Sequence, residues 1–199
     1  MQPPTLPDPI WVDRPAVFTR MLEDLSGQPV LAVDTESNSL YVYREQVCLI
    51  QFSTLETDYL VDPLALKDLS ALAEIFSNPE IEKVFHAATY DLICLKRDYG
   101  FSFVNLFDTM QAARILGRPA CGLGSLIEEE FNITLDKRYQ RANWGERPLK
   151  REMLAYARLD THYLFDLRER LKDELIQAER WDLAQEDFNQ LCNVAAGPS

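Results

Sequence analysis

The stretch PVLAVDTESNSL, residues 29–40, combines a buried β-strand with a pair of carboxylates. Val30 to Val33 form an uninterrupted apolar run, and Asp34 and Glu36 follow it two residues apart. Side chains two positions apart on a strand share a face, with Cα atoms about 6.5–7 Å apart. At an effective dielectric constant near 20, two like charges at that separation repel by about 2.4 kcal/mol. A shared proton, a nearby arginine or a divalent cation would offset this repulsion. On its own, the pair also fits a solvated strand end at which Asp34 caps the following turn.

The composition is that of a soluble globular protein of one domain, since 47% of its 199 residues are hydrophobic and 26% are charged. No apolar run approaches the roughly 20 residues that span a bilayer. The opening MQPPTLPDPIW lacks the basic stretch followed by an apolar one that marks a secretory signal. We therefore expect no membrane partner.

The cysteines and histidines restrict the kind of site that the chain can form. The cysteines are widely separated, which favours reduced thiols in a cytoplasmic protein over a disulfide framework or a zinc site. They are Cys48, Cys94, Cys121 and Cys192. The only histidines are His86 and His162, so a His-rich metal site is excluded. We expect a cytoplasmic protein that uses no organic cofactor.

The charge is strongly acidic overall but unevenly distributed. The net charge of −12 argues against a protein that coats nucleic acid by bulk electrostatics. From Lys137 to Arg158, however, seven basic and two acidic residues give a local charge of +5, so the remainder carries −17. This segment is interpreted either as a solvated surface or as a local approach for phosphate groups.

The order of apolar patterns predicts an α/β fold with a mixed sheet flanked by helices. A helix over 17–25 precedes three strand-like runs with tight links, VLAVD, QVCLIQFST and DYLVD, which favour a meander over a fully parallel sheet. A short helix over 69–76, the strand EKVFHA, a helix over 89–98 and the strand FSFVNLFD follow.

The second half of the chain is predicted to be mainly helical. Beyond residue 108 the pattern is helical apart from a loop rich in basic residues near 132–149, and a long helix begins near Pro148. The residues after 177 are weakly patterned, and the end looks frayed. The predicted organisation is a Pro-rich arm over 1–14, the main domain over 15–177 and a short helical extension or tail over 178–199.

Two further carboxylates stand where a core pattern ends or is interrupted. In HAATYDLICL, Asp91 begins a helix directly after a strand, with Tyr90 beside it. In YARLD, Tyr156 and Asp160 are four residues apart and share one face of a helix. An unpaired carboxylate in such an apolar setting is costly. The acids therefore suggest one cavity, and hard oxygen ligands favour Mg²⁺ or Mn²⁺ over zinc.

Together these motifs resemble those of the DEDD superfamily of 3′–5′ exonucleases, in its tyrosine-bearing (DEDDy) branch, and most closely the ribonuclease D-like members. Six longer segments are similar to that family's exonuclease domain in order and spacing: VCLIQFST, LVDPL, KVFHAATYDL, LFDTMQAARILG, LDKRYQRANWGERPL and YARLDTHYL. The resemblance covers about residues 15–177. The chain departs from the pattern at Ser37, where many members have an aromatic residue, and at His86, where the superfamily has Asn. The helicase-and-RNase-D domain of the longer members has no match here.

The resemblance implies a ribonuclease H-like fold and hydrolysis with two divalent cations, Mg²⁺ or Mn²⁺. Asp34 is expected to bridge both ions, Glu36 and Asp160 to complete the site of the water-activating ion, and Asp91 to hold the second. Tyr156 is expected to orient the attacking water. The implied activity is a 3′–5′ exoribonuclease that releases 5′-nucleoside monophosphates from the 3′ ends of single-stranded RNA.

Five residues are candidates for substrate contact: Leu40, His86, Tyr90, Arg141 and Trp144. Leu40 is interpreted as a wedge under the terminal base or as a core residue. His86 fits a substrate contact or a hydrogen-bonded core imidazole. Trp144 fits a base-stacking platform or a hydrophobic anchor of its loop. Asp108 is predicted to cap the following helix.

Two other functions remain open from the sequence. The same chemistry on DNA is one, because no residue identifiably reads a 2′-hydroxyl and the preference for RNA rests on analogy. A catalytically silent nucleic-acid-binding module is the other, although retention of all four acids and the tyrosine argues against it.

Overall fold

The protein is described by a computed structural model over residues 6–198 and contains a six-stranded mixed sheet with the order β1-β4-β3-β2-β5-β6. The strands are β1 Ile10–Val12, β2 Val30–Ser37, β3 Val47–Ser53, β4 Asp58–Val61, β5 Glu82–Phe85 and β6 Leu106–Asp108. The β2–β3 and β3–β4 pairs are antiparallel, and the other three pairs are parallel. The predicted α/β fold with a mixed sheet is confirmed.

Helices cover both faces of this sheet. They are α1 Pro15–Ser26, α2 Leu72–Phe76, α3 Thr89–Tyr99, α4 Thr109–Ile115, α5 Leu123–Phe131, α6 Arg151–Ala157, α7 Leu159–His162, α8 Leu164–Gln177 and α9 Trp181–Leu191. One core lies between the sheet and α1, α2 and α3, and a second lies under α4, α5, α8 and α9. Within the described residues, no helix is long and apolar enough to cross a membrane.

The central strand β2 serves both cores because its side chains alternate between the two faces. Leu31 and Val33 belong to the first core, whereas Ala32 belongs to the second. The strand extends through the two carboxylates, and a bulge between Glu36 and Ser37 shifts its pairing with β3. Bulges of this kind bend a strand and re-aim its side chains, and they are common beside active sites.

The edge strand β1 lies in the segment that the sequence assigns to a Pro-rich arm over 1–14. Ile10–Val12 pair in parallel with Tyr59–Val61 of β4. A strand of three residues with one buried side chain leaves almost no periodicity, so sequence patterns do not reveal it. The first five residues of the expected arm lie outside the described part of the chain.

The predicted strand FSFVNLFD is shorter in the structure, where only Leu106–Asp108 pair with β5. Phe101 and Phe103 are buried because their rings pack against Phe76, with centroids 5.3 and 4.8 Å away. Their hydrophobicity therefore reflects packing in the core and not pairing in the sheet.

The long helix predicted to begin near Pro148 is instead three helices, α6, α7 and α8, separated at Arg158 and Tyr163. The separations are single residues, so the apolar periodicity continues across them and conceals them. Arg158 and His162 both bond the carboxylate of Asp58 on β4, which fixes the short helix α7 against the sheet.

After residue 177, Trp181–Leu191 form α9, which agrees with the helical extension among the two alternatives expected there. Phe188 packs on Phe107, with ring centroids 4.7 Å apart. The Lys96 ammonium of α3 then donates to the backbone carbonyls of Cys192 and Val194, at 2.6 and 2.7 Å. Few apolar residues make these contacts, which explains the weak pattern.

Candidate active site

Three of the predicted metal ligands meet at the tip of β2. Carboxylate oxygens of Asp34 and Glu36, and of Asp160 on α7, all lie within 4.8 Å of one another. Asp34 and Glu36 point to the face that α7 covers because they share the parity of Ala32 on the strand. The donor set is purely oxygen, which fits Mg²⁺ or Mn²⁺ and does not fit a soft metal.

Asp91 approaches the same strand tip from the opposite face. It lies in the first turn of α3, is buried, and its Oδ1 accepts hydrogen bonds from the hydroxyl and the backbone N–H of Thr35, the latter at 3.1 Å. Thr35 points to this face because it lies between the two acids of β2. The structure thus brings all four predicted acids to one edge, with Asp91 outside the three-oxygen cluster.

The electrostatics of the four acids favour bound protons or cations. Burial first, and then the charges of neighbouring acids, hold the pKa values of Asp34 and Glu36 well above their usual range. Burial raises the pKa of Asp91 to about 7 and that of Asp160 to about 7. Among the described residues, no lysine or arginine forms an ion pair with any of the four. Divalent cations fit this site because they neutralise charges that the protein leaves unpaired.

Tyr156 lies beside the acids on α6. Its ring stacks on Trp144, with centroids 6.1 Å apart and an interplanar angle of 26°, and meets Tyr139 edge-on at 5.7 Å. Burial, followed by the charges of Asp160 and Glu36, raises the pKa of the Tyr156 phenol. The phenol therefore keeps its proton and can donate a hydrogen bond.

Gln51 on β3 is a site residue that the sequence did not single out. It pairs with Asp34 in the sheet and is fully buried, and its Nε2 lies 3.4 Å from Oδ2 of Asp160. Its Oε1 is buried without a hydrogen-bond partner among residues 6–198. The sequence does carry a signal for this residue, because a glutamine interrupts the apolar run VCLIQFS. A buried amide normally needs a hydrogen-bond partner, so a glutamine in a buried strand indicates a polar neighbour.

Asp58 on β4 was also missed, and it holds the helix that carries Asp160. Its carboxylate accepts hydrogen bonds from Ser53 at 2.6 Å, Arg158 at 2.7 Å and His162 at 2.9 Å. These bonds hold the pKa of Asp58 below its usual value against the opposing effect of burial. No local pattern marks this aspartate, because Arg158 and His162 lie about 100 residues away along the chain.

His86 follows β5 at the same edge of the sheet. Its Nδ1 lies 2.8 Å from the hydroxyl of Thr109, and burial lowers its pKa to about 4, so the imidazole is neutral. Asp108 caps α4, as predicted, by accepting from the amides of Met110 and Gln111. It also accepts from the amides of Ala87 and Ala88 at 3.1 and 2.8 Å, which fixes the turn before α3.

The remaining candidates for substrate contact divide into exposed and buried groups. Leu40 is 67% exposed and Tyr90 is 47% exposed, so neither packs in the core. Arg141 is exposed and its backbone carbonyl accepts from the Tyr41 hydroxyl. Trp144 is only 1% exposed. Its indole packs on Tyr156 and has no free face for a base. This agrees with the interpretation of Trp144 as a hydrophobic anchor of its loop.

A mixed sheet whose central strand ends in converging carboxylates is the arrangement typical of metal-dependent nucleases of ribonuclease H-like fold. The chain belongs to the 3′–5′ exonuclease family, whose model matches residues 9–176. The match includes the edge strand β1. Members of this family depend on divalent metal ions, and the resemblance to the DEDDy exonucleases is confirmed.

Curated relatives include the exosome complex exonuclease RRP6 of Saccharomyces cerevisiae, 46% identical over 86% of this chain and 24% of its own length. The protein RRP6-like 3 of Arabidopsis thaliana is 41% identical over 89% of this chain and 20% of its own length. The chain thus spans a quarter or less of the length of these relatives.

Two solved structures of similar proteins have nearly the same fold. The catalytic core of RRP6 from Trypanosoma brucei has a TM-score of 0.90 at 34% identity, covering 96% of this chain and 53% of that one. Ribonuclease D of Escherichia coli, an exoribonuclease involved in structured RNA processing, has a TM-score of 0.88 at 30% identity, covering 94% and 50%. The ribonuclease H-like fold is confirmed.

Proposed function

We propose that this chain is a 3′–5′ exoribonuclease that removes nucleotides one at a time from unpaired 3′ ends of RNA and releases 5′-nucleoside monophosphates. The observation that carries the proposal is the convergence of Asp34, Glu36 and Asp160 within 4.8 Å, with Asp91 beside them and without basic partners among the described residues. The similarity to ribonuclease D of Escherichia coli, an exoribonuclease, supports RNA as the substrate.

The four carboxylates would hold two divalent cations, Mg²⁺ or Mn²⁺. When bound, two such ions neutralise the charge on the scissile phosphate and lower the pKa of a bound water. Asp34 would serve both ions, because it lies in the cluster with Asp160 and is adjacent in sequence to Thr35, which bonds Asp91 on the other face of β2.

Side chains of the protein orient the attacking water and position the acids. Tyr156 keeps its phenolic proton, and its ring is fixed between Trp144 and Tyr139, so its hydroxyl can hold the attacking water in one direction. The bonds from Arg158 and His162 to Asp58 fix α7 and hence Asp160.

The cytoplasmic location expected from the reduced thiols stays a prediction.

The test uses an RNA strand labelled at its 5′ end and a DNA strand of matched sequence, with Mg²⁺, with Mn²⁺ and with EDTA. We expect a ladder of products that shorten by single nucleotides, faster digestion of RNA than of DNA, and no digestion in EDTA. Asp34→Asn is expected to abolish the activity and leave the fold intact. Asp173→Asn, an equal change of charge on the exposed face of α8, is expected to leave it unchanged.

Internal cleavage, or digestion that persists in EDTA, would contradict the proposal. Equal or faster digestion of the DNA strand would overturn only the assignment of RNA as the substrate. It would favour a DNA-directed exonuclease. Tyr156→Phe distinguishes orientation from metal binding: we expect kcat to fall while the Mg²⁺ concentration for half-maximal activity stays the same.

A further inference from the structure

Two loops meet beside the acidic cluster. The aromatic loop, residues 38–46, connects β2 to β3, and the basic loop, residues 132–150, connects α5 to α6. The hydroxyl of Tyr41 donates to the backbone carbonyl of Arg141, and Gly145 lies so close to Asn38 that an added Cβ would be 3.3 Å from its Nδ2. The loops therefore form two adjoining walls next to the end of β2.

The aromatic loop exposes four consecutive large apolar side chains, at positions 40–43. Each is at least 43% exposed, and Tyr43 is fully exposed. Tyr90, the neighbour of Asp91, extends this surface, since its hydroxyl donates to Glu45 and lies 3.4 Å from the Ser37 hydroxyl. An apolar patch at the mouth of a polar site is typical of a binding surface, because a solvated loop has no need of it.

Positive charge is concentrated on the basic loop, although the chain carries −12 overall. Within residues 6–198, four exposed basic residues of the two loops form no ion pair: Arg44, Lys137, Arg141 and Lys150. On the side that faces α3, Tyr43 and Arg44 also line a cavity of about 620 Å³, whose other charged lining residues are Glu45, Arg97 and Asp98. This volume lies within the range of ligand-binding pockets.

Exposed aromatic rings interleaved with unpaired basic side chains are the combination that binds single-stranded nucleic acid, since bases stack on the rings while phosphates contact the cations. We propose that the aromatic loop binds the nucleotides that lie 5′ to the terminal two, with a base stacked on Tyr43 and the adjoining phosphate near Arg44. The inference rests on the proposed function and adds a consequence: the enzyme requires several unpaired nucleotides at the 3′ end for tight binding.

The experiment compares wild type with Tyr43→Ala on a dinucleotide and on an unpaired octanucleotide of RNA. Truncation of Tyr43 removes no packing, since the ring is fully exposed, so the thermal midpoint should not change. We expect KM for the octanucleotide to rise about tenfold, the effect of losing one stacked base, with kcat unchanged. The dinucleotide lacks the nucleotides assigned to the loop, so its KM should stay the same.

Leu183→Ala is the matched control, because it truncates an exposed apolar side chain on α9, remote in sequence from both loops. It should change neither substrate's KM. An unchanged octanucleotide KM in Tyr43→Ala, or an equal rise with the dinucleotide, would overturn the inference and leave the patch to a protein partner.

Failure of the proposed function would be seen differently. A wild-type protein that hydrolyses neither substrate in Mg²⁺ or Mn²⁺ refutes the nuclease assignment. Fluorescence anisotropy of a labelled octanucleotide in EDTA then tests the loop by itself: about tenfold weaker binding by Tyr43→Ala supports the inference, and equal binding rejects it.

Discussion

Replacing Asp34 by Asn should stabilise the metal-free protein while abolishing its activity. Oxygens of Asp34, Glu36 and Asp160 lie within 4.8 Å of one another. At an effective dielectric constant of about 20, each fully ionised pair at that distance repels by about 3.5 kcal/mol. The raised pKa values mean that bound protons already relieve part of this repulsion near neutral pH, and partial exposure screens more of it. We therefore expect a net gain of about 1–3 kcal/mol.

The assay is thermal unfolding in EDTA followed by the same measurement in Mg²⁺. A change of 1 kcal/mol shifts the midpoint of a protein of this size by about 2–4 °C, so Asp34→Asn should melt roughly 2–10 °C higher than wild type in EDTA. In Mg²⁺ the difference between the two midpoints should shrink or change sign, because Mg²⁺ binding stabilises wild type and the variant has lost that binding. Asp173→Asn, exposed on α8, controls for the change in net charge and should melt like wild type in both buffers.

A variant that melts lower than wild type in EDTA would refute the reasoning. It would mean that Asp34 is held by stabilising contacts within the protein and that its charge is already compensated. Unchanged nuclease activity in Asp34→Asn would reject its assignment as a metal ligand.

Three further outcomes are expected. The pKa values of Asp91 and Asp160 are raised to about 7 in the folded protein, from about 3.9 in the unfolded chain. Between these two pH values the folded state therefore binds more protons than the unfolded state. Stability in EDTA should therefore fall as pH rises from about 4 to about 7, and thermal midpoints across that range check it; a rising midpoint would contradict the burial argument. Trp144→Ala should lower the free energy of unfolding in urea by about 3–5 kcal/mol, because the indole is fully buried, and a loss below about 1 kcal/mol would mean that the loop closes without it. Asp58→Asn should cost about 3 kcal/mol in the same assay, since it leaves the buried guanidinium of Arg158 without its counter-ion, whereas an unchanged urea midpoint would show that the pair is dispensable.

The sequence predicted β2 and its acids because the signal is local. An apolar run interrupted by carboxylates two residues apart specifies both a buried strand and the face on which the acids lie. The position of Asp91 at a strand-to-helix junction and the spacing of Tyr156 and Asp160 are equally local. These local signals were enough to predict the mixed sheet, the acidic cluster and the family.

The parts that sequence patterns did not reveal depend on contacts distant in the chain. Asp58 acquires its role only when α7 packs on β4, and Gln51 only when β3 pairs with β2. The strand β1 exists because β4 offers it an edge. Trp144 was ambiguous because a tryptophan in a polar loop fits a core anchor or a base platform equally well, and only its 1% exposure decides.

The alternation of β2 also determines which changes of sequence the site tolerates. Thr35 reaches Asp91 on one face of the strand, while Asp34 and Glu36 reach Asp160 on the other. Inserting or deleting a single residue within 30–33 would exchange the two faces, so that the acids would turn toward α3 and the threonine toward α7. Homologous chains can therefore vary the apolar identities in this run and the length of the loops around it, but the number of residues between the start of β2 and its first carboxylate should stay fixed.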